Sequence, residues 1–416
     1  MHSRTARHCI AALLIAFGLL SSKAVAQDQP SHLSELVSRA LVDKGFENVS
    51  VAEDPGRVVA TFENRIYRYD ARGMQEAIKA ITPLLEDTFQ LILIPRRKGI
   101  RLGAVSVPVR SYYAFKRGEI SKDVFISSIE VSLDLPNNTE LGRSGKANKT
   151  AFRTDVLVRP QFVAEFGNFD DPVESQINLV PEVSLFLWQG ASLTAQLILP
   201  IQNELAEQGN YVRPGLLTMN QTVRAPGNIF ASMTLGYFTR NRYGLDSEAR
   251  AYAFNGRLAA GIRAGYTGYL SYEAGEWLYG DLDALTYSAD IAYQVLPQYN
   301  FTLRGTYAKF LFGDTGWRLD AHRSFGEVEI GLFGMLADTR ASSNAGVRIT
   351  IPLPFSKHAK PARLRARTAE QFQWEYRYRN LPLEGKQYAS GGALSDFWGH
   401  LTPTFLKNRL AKLENW

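Results

Sequence analysis

The chain has 416 residues, 45% of them hydrophobic and 12% aromatic, with 47 Lys+Arg against 41 Asp+Glu and a single cysteine. That length allows two or three domains with sizeable cores, and the hydrophobic content excludes global disorder. Beyond the first 26 residues no apolar run approaches the ~18–20 residues of a membrane-spanning helix, and a formal charge of +6 is too small at this size for strong nucleic-acid binding.

Residues 1–26 read as an export signal. Arg4 and Arg7 give a positive start, residues 10–20 form an apolar core, and Ala24-Val25-Ala26 is a small-x-small cleavage signal ending at Ala26. Cys9 precedes the apolar core, so it is no lipobox cysteine and would leave with the signal. The mature chain would then have no disulfide, thiolate metal site or thiol nucleophile.

Residues 31–140 read as a small periplasmic α/β domain. Leu33, Leu36, Val37, Ala40 and Leu41 recur at helical spacing, with Lys44-Gly45 as the stop. Residues 49–51 and 58–62 form a hairpin about Pro55-Gly56. A second helix follows over 74–85, then strands over 89–94 and 104–109. Residues 141–153 are a linker, because LGRSGKANKT carries no apolar pattern after Leu141.

Residues 154–355 alternate with a period of two. Val156, Val158, Phe162 and Ala164 oppose Arg159, Gln161 and Glu165; Leu285, Tyr287, Ala289 and Ile291 oppose Thr286, Ser288 and Asp290. About twelve such segments occur, longer than the ~5–6 residues of an ordinary strand and close to the ~9–11 of a tilted spanning strand. Their connections alternate. The long ones are 167–173, 201–211, 268–282, 311–316 and 336–345; the short ones include 189–190, 225–228, 255–256, 296–298 and 324–326. The short 240–242 falls among the long set. This pattern predicts a mainly β chain: a transmembrane antiparallel β-barrel of about twelve strands, even in number, with long exterior loops and short periplasmic turns. Tyrosines near strand ends, such as Tyr237, Tyr243 and Tyr266, would anchor it at the interfaces. The competing arrangement is a soluble sandwich or periplasmic barrel, with the apolar faces meeting in a core, which gives no reason for loop lengths to alternate.

Residues 356–416 read as a basic periplasmic tail, with eleven Lys/Arg against five acids. Residues 403–413 could form a short amphipathic helix with Phe405, Leu406, Leu410 and Leu413 apolar. The tail could dock a partner, touch acidic lipid or polymer, or plug the barrel from below; the equal alternative is a solvated tail partly folded on the first domain.

Gly45-Phe46-Glu47-Asn48-Val49, followed by Phe62-Glu63-Asn64-Arg65-Ile66-Tyr67-Arg68-Tyr69, resembles a segment of the YjbH-type exopolysaccharide-production family. So do Arg242-Tyr243-Gly244-Leu245-Asp246-Ser247-Glu248 and the stretch from Ser343 to Leu353. The resemblance implies an outer-membrane β-barrel that assists exopolysaccharide or capsule production or export, with no established catalytic site. Members are usually longer and many carry a lipobox cysteine, so this chain is similar to one unit of the family. Independently, Asn344-x-Gly346-x-x-Ile349-x-Ile351 fits a closing strand read by the barrel-assembly machinery. The expected partners are thus outer-membrane lipid, that machinery, surface polysaccharide and other secretion components.

Strand parity assigns Arg159, Glu182, Glu248, Arg250, Tyr252, Arg263, Asp290, Arg304, Arg318, Asp320, His322 and Arg348 to the lumen. The plain reading is an ion-pair network that fills the barrel. The functional reading is a lining for sugar hydroxyls and acids, with Phe186, Phe230, Tyr252 and Phe254 as stacking faces. Asp320 and His322 share a face as an orienting acid and a base might, and Glu327 and Glu329 as a carboxylate pair might. No motif positions a serine, and no metal spacing, P-loop or dinucleotide pattern occurs. The chain therefore reads as a non-enzyme without metal or cofactor, with a general pore and a lipid-modifying or protease barrel as alternatives.

Overall fold

A computed structural model describes residues 31–136, 147–149, 151–166, 173–205, 207–273, 275–338, 343–360, 362–378, 385–395, 402–414 and 416. The export signal with its cleavage point at Ala26, and most of the proposed linker, lie outside these residues.

Helix α1 (His32–Lys44) starts where the Ser31 hydroxyl accepts from the Ser34 N–H and stops at Gly45, left-handed at φ 91°. Strands β1 (Glu47–Asp54) and β2 (Arg57–Glu63) form the expected hairpin around Gly56. Helix α2 (Asp70–Ile81) carries the chain back, so β3 (Gln90–Arg97) pairs with β2 in parallel. Then come β4 (Ile100–Arg101), β5 (Ala104–Pro108), helices α3 (Val109–Lys116) and α4 (Lys122–Ser128), and β6 (Glu130–Ser132). The sheet runs β1-β2-β3-β5-β6, with β4 on β3. Alternation along the strands turns Val49, Val51, Val58, Ala60, Leu91 and Leu93 to the face that packs Val37, Leu41, Met74 and Ile78 of the helices.

Fourteen strands make the second sheet: β7 (Thr154–Phe166), β8 (Val173–Phe186), β9 (Ala191–Asn203), β10 (Arg213–Ala225), β11 (Ile229–Phe238), β12 (Arg242–Ala253), β13 (Leu258–Glu273), β14 (Glu276–Leu296), β15 (Phe301–Lys309), β16 (Thr315–Phe325), β17 (Val328–Ala337), β18 (Asn344–Pro352), β19 (Leu364–Thr368) and β20 (Gln371–Arg377). The chain is mainly β. Strands β7 to β18 are twelve consecutive antiparallel neighbours; β19 flanks β7 in parallel and β20 flanks β18 antiparallel. Only Ala369 and Glu370 separate those two flanking strands.

One face of this sheet is apolar and open. Ile177, Leu179, Leu193, Leu235, Ile262, Ile291, Trp317, Leu319 and Leu332 on it are all more than a third exposed. The opposite face holds Asn178, Glu182, Asn220, Asp246, Glu248 and Arg250, all buried. The alternation read from the sequence is thus a true division of faces.

Three readings need correction. The presumed long loop 268–282 is a hairpin, because β13 and β14 run on as far as Glu273 and Glu276 and turn at Gly275 (φ 94°). The β-prone tyrosines and Trp277 there sustain pairing. The sheet does not end at 355, and 356–416 is no separate tail. Phe372, Trp374 and Tyr376 alternate with Gln373, Glu375 and Arg377 on β20, and Arg365 and Arg367 on β19 meet Asp155 of β7. It follows that β18, with its closing-strand pattern, has a further strand beside it.

The connections after β8, β10, β12, β14, β16 and β18 gather at one end, and the rest of the chain covers all six. The Gly190 N–H donates to the Lys98 carbonyl (2.7 Å). Asn228 donates to Asp134 (3.1 Å) and Asn255 to the Val131 carbonyl (2.7 Å). Arg68 reaches Glu327 (2.9 Å), and the His358 N–H donates to the Ile66 carbonyl (2.7 Å). The sixth contact comes from helix α5 (Pro403–Lys412), whose Asn408 donates to the Pro297 carbonyl (2.6 Å). The apolar stripe foreseen in that helix is real: Leu406 and Leu410, with Trp416, belong to the same core as Val37 and Met74.

Candidate functional site

The polar face is organised by cross-strand pairing. Residues two apart on a strand share a face, so facing strands bring opposite charges together. Arg159 on β7 forks onto Glu182 of β8 (2.7 and 3.3 Å), which also accepts from Gln196 (2.7 Å) and Ser184 (3.0 Å). Arg250 forks onto Asp290 (2.9 and 2.6 Å), with Glu248 and Arg304 at 3.4 and 3.8 Å around the pair. Arg318 binds Asp320 (2.8 Å) and Glu375 (3.0 Å), and Arg348 binds the same Glu375 (2.8 Å). Eleven of the twelve predicted residues therefore fall into packed or ion-paired clusters, in the geometry of charge-assisted bonds. The exception is His322. No bond joins it to Asp320, whose oxygens face Arg318, so the pair has no acid–base geometry among the described residues.

The stacking faces also differ from expectation. Phe230 is fully buried against Tyr252 (6.0 Å, edge-on), and the Phe186 ring carries the Arg65 guanidinium at 4.4 Å. Phe254 lies in a turn at φ 50° and is 74% exposed, so strand parity does not apply to it. Glu327 is likewise a turn residue, held by Arg68 and Arg409 rather than paired with Glu329.

Strand parity alone missed the chain's own segment 385–395, which runs across the polar face from one end to the other. At the far end the Gly385 N–H donates to Asp314 (2.8 Å), and the Leu311 N–H to the Lys386 carbonyl (3.0 Å). In the middle Asp246 is the hub, accepting from Ser390 (2.6 Å), the Tyr388 hydroxyl (3.2 Å) and Arg263 (2.8 Å). Ser232 donates to the Gly392 carbonyl (2.8 Å), and the Leu394 N–H to Glu248 (2.9 Å). The Leu394 side chain then packs with Phe230, Tyr252, Ile100, Leu102 and Leu133 near the covered end. Glycine is required at 392, where a Cβ would meet Thr234 Oγ1 at 2.1 Å and Asn220 Nδ2 at 2.4 Å. Asp246 was findable, since it shares the face of Glu248 and Arg250. The segment was not, because Gln-Tyr-Ala-Ser-Gly-Gly-Ala-Leu has the composition of a loop.

Among the described residues no group of three His, Cys, Asp or Glu side chains is placed to hold a metal ion. The arrangement can grip a polypeptide, and it presents carboxylates to hydroxyl groups.

No individually curated protein matches the chain. The family model described as "Exopolysaccharide biosynthesis protein YbjH" matches residues 20–225 and 206–371, most of the sequence, and membership implies a role in exopolysaccharide production. On that match the chain belongs to the YjbH family of exopolysaccharide biosynthesis proteins.

Proposed function

We propose that the large sheet is a closed outer-membrane barrel, and that the chain serves exopolysaccharide production or export there as a plugged docking component rather than an open conduit. The observation that carries this reading is the seam. Strands β19 and β20 run in one direction two residues apart, one paired to β7 and the other to β18. Taken as one interrupted strand, they lie between the first and twelfth strands and complete a ring of thirteen. An odd ring needs one parallel pair, and β19–β7 is parallel. The Phe162 and Trp374 rings, 6.1 Å apart, join β7 to β20 across the seam. Closure removes the sheet edge, which hydrocarbon demands. The exposed apolar face then meets lipid; a soluble monomer rarely shows a contiguous patch above a few hundred Å².

In this reading the short connections, the N-terminal sheet and α5 face the periplasm. The polar face becomes an interior crossed by residues 385–395, which disfavours a general diffusion pore. Outer-membrane lipid, the barrel-assembly machinery, the polymer and other secretion components are the proposed partners. Unheated protein should migrate faster than boiled protein on a gel. Deleting the gene should reduce or shorten surface polymer, and unchanged polymer would defeat the functional half of the reading.

A further inference from the structure

A cleft of about 340 Å³ opens at the covered end, between the start of α2, the turn after β16, the chain leaving β18 and helix α5. Ligand pockets run from roughly 300 to 1,000 Å³, so this one is sized for one or two sugar rings. Tyr67, Tyr69, Arg72, Glu76, Lys357 and Arg409 are among its lining.

Three features converge there. The charge is positive: Lys44, Arg68, Arg72, Lys357 and Arg409 surround two acids, Glu76 and Glu327. Each acid is already held, Glu76 by Lys44 (2.9 Å) and Arg72 (3.2 Å), Glu327 by Arg68 (2.9 Å) and Arg409 (3.2 Å). Lys357 has no acidic partner among the described residues; its ammonium lies 5.7 Å from the Tyr67 ring. Second, Tyr67 is 7% exposed, and its hydroxyl, next to the Glu76, Lys44 and Arg72 charges, has no hydrogen-bond partner among the described residues. Third, α2 begins at Tyr69, and Tyr69, Ala71 and Arg72 line the cleft, so the positive end of the helix dipole lies at its wall.

A carboxylate would meet the cations and the helix terminus, and a neighbouring ring hydroxyl would meet the Tyr67 hydroxyl. We propose that this cleft binds an acidic sugar residue, a uronic acid, of a polysaccharide chain on the periplasmic side. The proposal rests on the exopolysaccharide reading for its biological setting, but the binding stands or falls alone.

Isothermal titration of the full chain in detergent with trigalacturonate, maltotriose and inorganic phosphate tests it. Trigalacturonate should bind, weakening as salt rises; maltotriose should give no heat, and phosphate should compete only weakly. Tyr67→Phe keeps the ring against Phe46 (5.9 Å) and removes only the hydroxyl, and should weaken binding about tenfold. Lys357→Glu, at an exposed position, should weaken it further. Equal binding of the neutral trisaccharide, phosphate as good a ligand as the uronate, or insensitivity to both substitutions would each overturn the proposal. If deletion leaves surface polymer unchanged while uronate binding keeps these sensitivities, the functional reading fails and the site remains.

Discussion

Asp155 shows how single residues hold the seam. It is 2% exposed, accepts two bonds from Arg365 (3.1 and 2.8 Å), and lies 2.7 Å from Arg65 and 3.2 Å from Arg367. One carboxylate therefore ties β7, β19 and the N-terminal sheet together, and Glu47 extends the network to Arg65 and Arg153. Removing one partner of a buried ion pair costs about 3–5 kcal/mol, because the remaining charges stay desolvated. Asp155→Ala should lower the urea midpoint accordingly, and a double substitution with Arg365→Leu should cost less than the two singles summed. Additive losses would mean that the network does not couple the seam. A second residue-scale test is the cleft carboxylate Glu76. Burial alone would raise its pKa, but Lys44, Lys79 and Arg72 together hold it below the ordinary value. A depressed carboxyl contributes stability above its unfolded pKa, about 4.3, and loses it as pH falls through the lower folded value. Glu76→Gln should therefore melt lower than the parent near pH 7, and the gap should close below pH 4. A gap that stays constant with pH would assign the loss to packing instead.

At the scale of elements, legibility followed periodicity. Helix α1 announced itself by a five-residue apolar stripe and a glycine stop, and the long strands of the large sheet by sustained alternation against polar turns. Helices α3 and α4 did not, since eight and seven residues are too few to display a stripe. Strand β20 alternates as clearly as its neighbours, yet the basic residues around it read as a tail. Its charge is explained only by tertiary partners, Glu375 with Arg318 and Arg348, which lie far away in sequence. Among the site residues, same-face membership was readable at once. Which charges pair was not, because pairing depends on the register between strands. Helix α5 illustrates the same division: its apolar positions were visible and a tail folded partly on the first domain was one reading of them, but periodicity alone did not choose that core over a partner, lipid or the barrel. Leu410 is fully buried in that core. Leu410→Ala should cost about 2–5 kcal/mol and destabilise the N-terminal sheet, read as faster proteolysis of residues 31–136. Cleavage confined to the last twenty residues would show α5 to be a passive appendage.

On the scale of the whole molecule, the chain from β20 onward binds the parts into one mechanical object. The chain leaves β20, crosses the polar face as 385–395 and ends in α5, inside the core of the N-terminal sheet. In the proposed barrel that path makes the plug continuous with the periplasmic unit, so a force on the latter would act on the former. Gly265 records how close the fit is, since a Cβ there would approach the Tyr388 hydroxyl to 1.6 Å. Ser390 is 1% exposed, and the chain's one natural cysteine is Cys9. With Cys9 absent from the purified protein, a Ser390→Cys variant should resist a membrane-impermeant maleimide until denatured. In planar bilayers the parent should stay closed. Adding Tyr388→Ala to the Ser390→Cys variant removes one donor to Asp246 and weakens a second without touching the strands of the sheet, and should yield intermittent openings and rapid labelling at 390 in the folded protein. A parent protein that conducts steadily, or a Ser390→Cys variant that labels while folded, would leave the interior unoccupied and return the open conduit to first place.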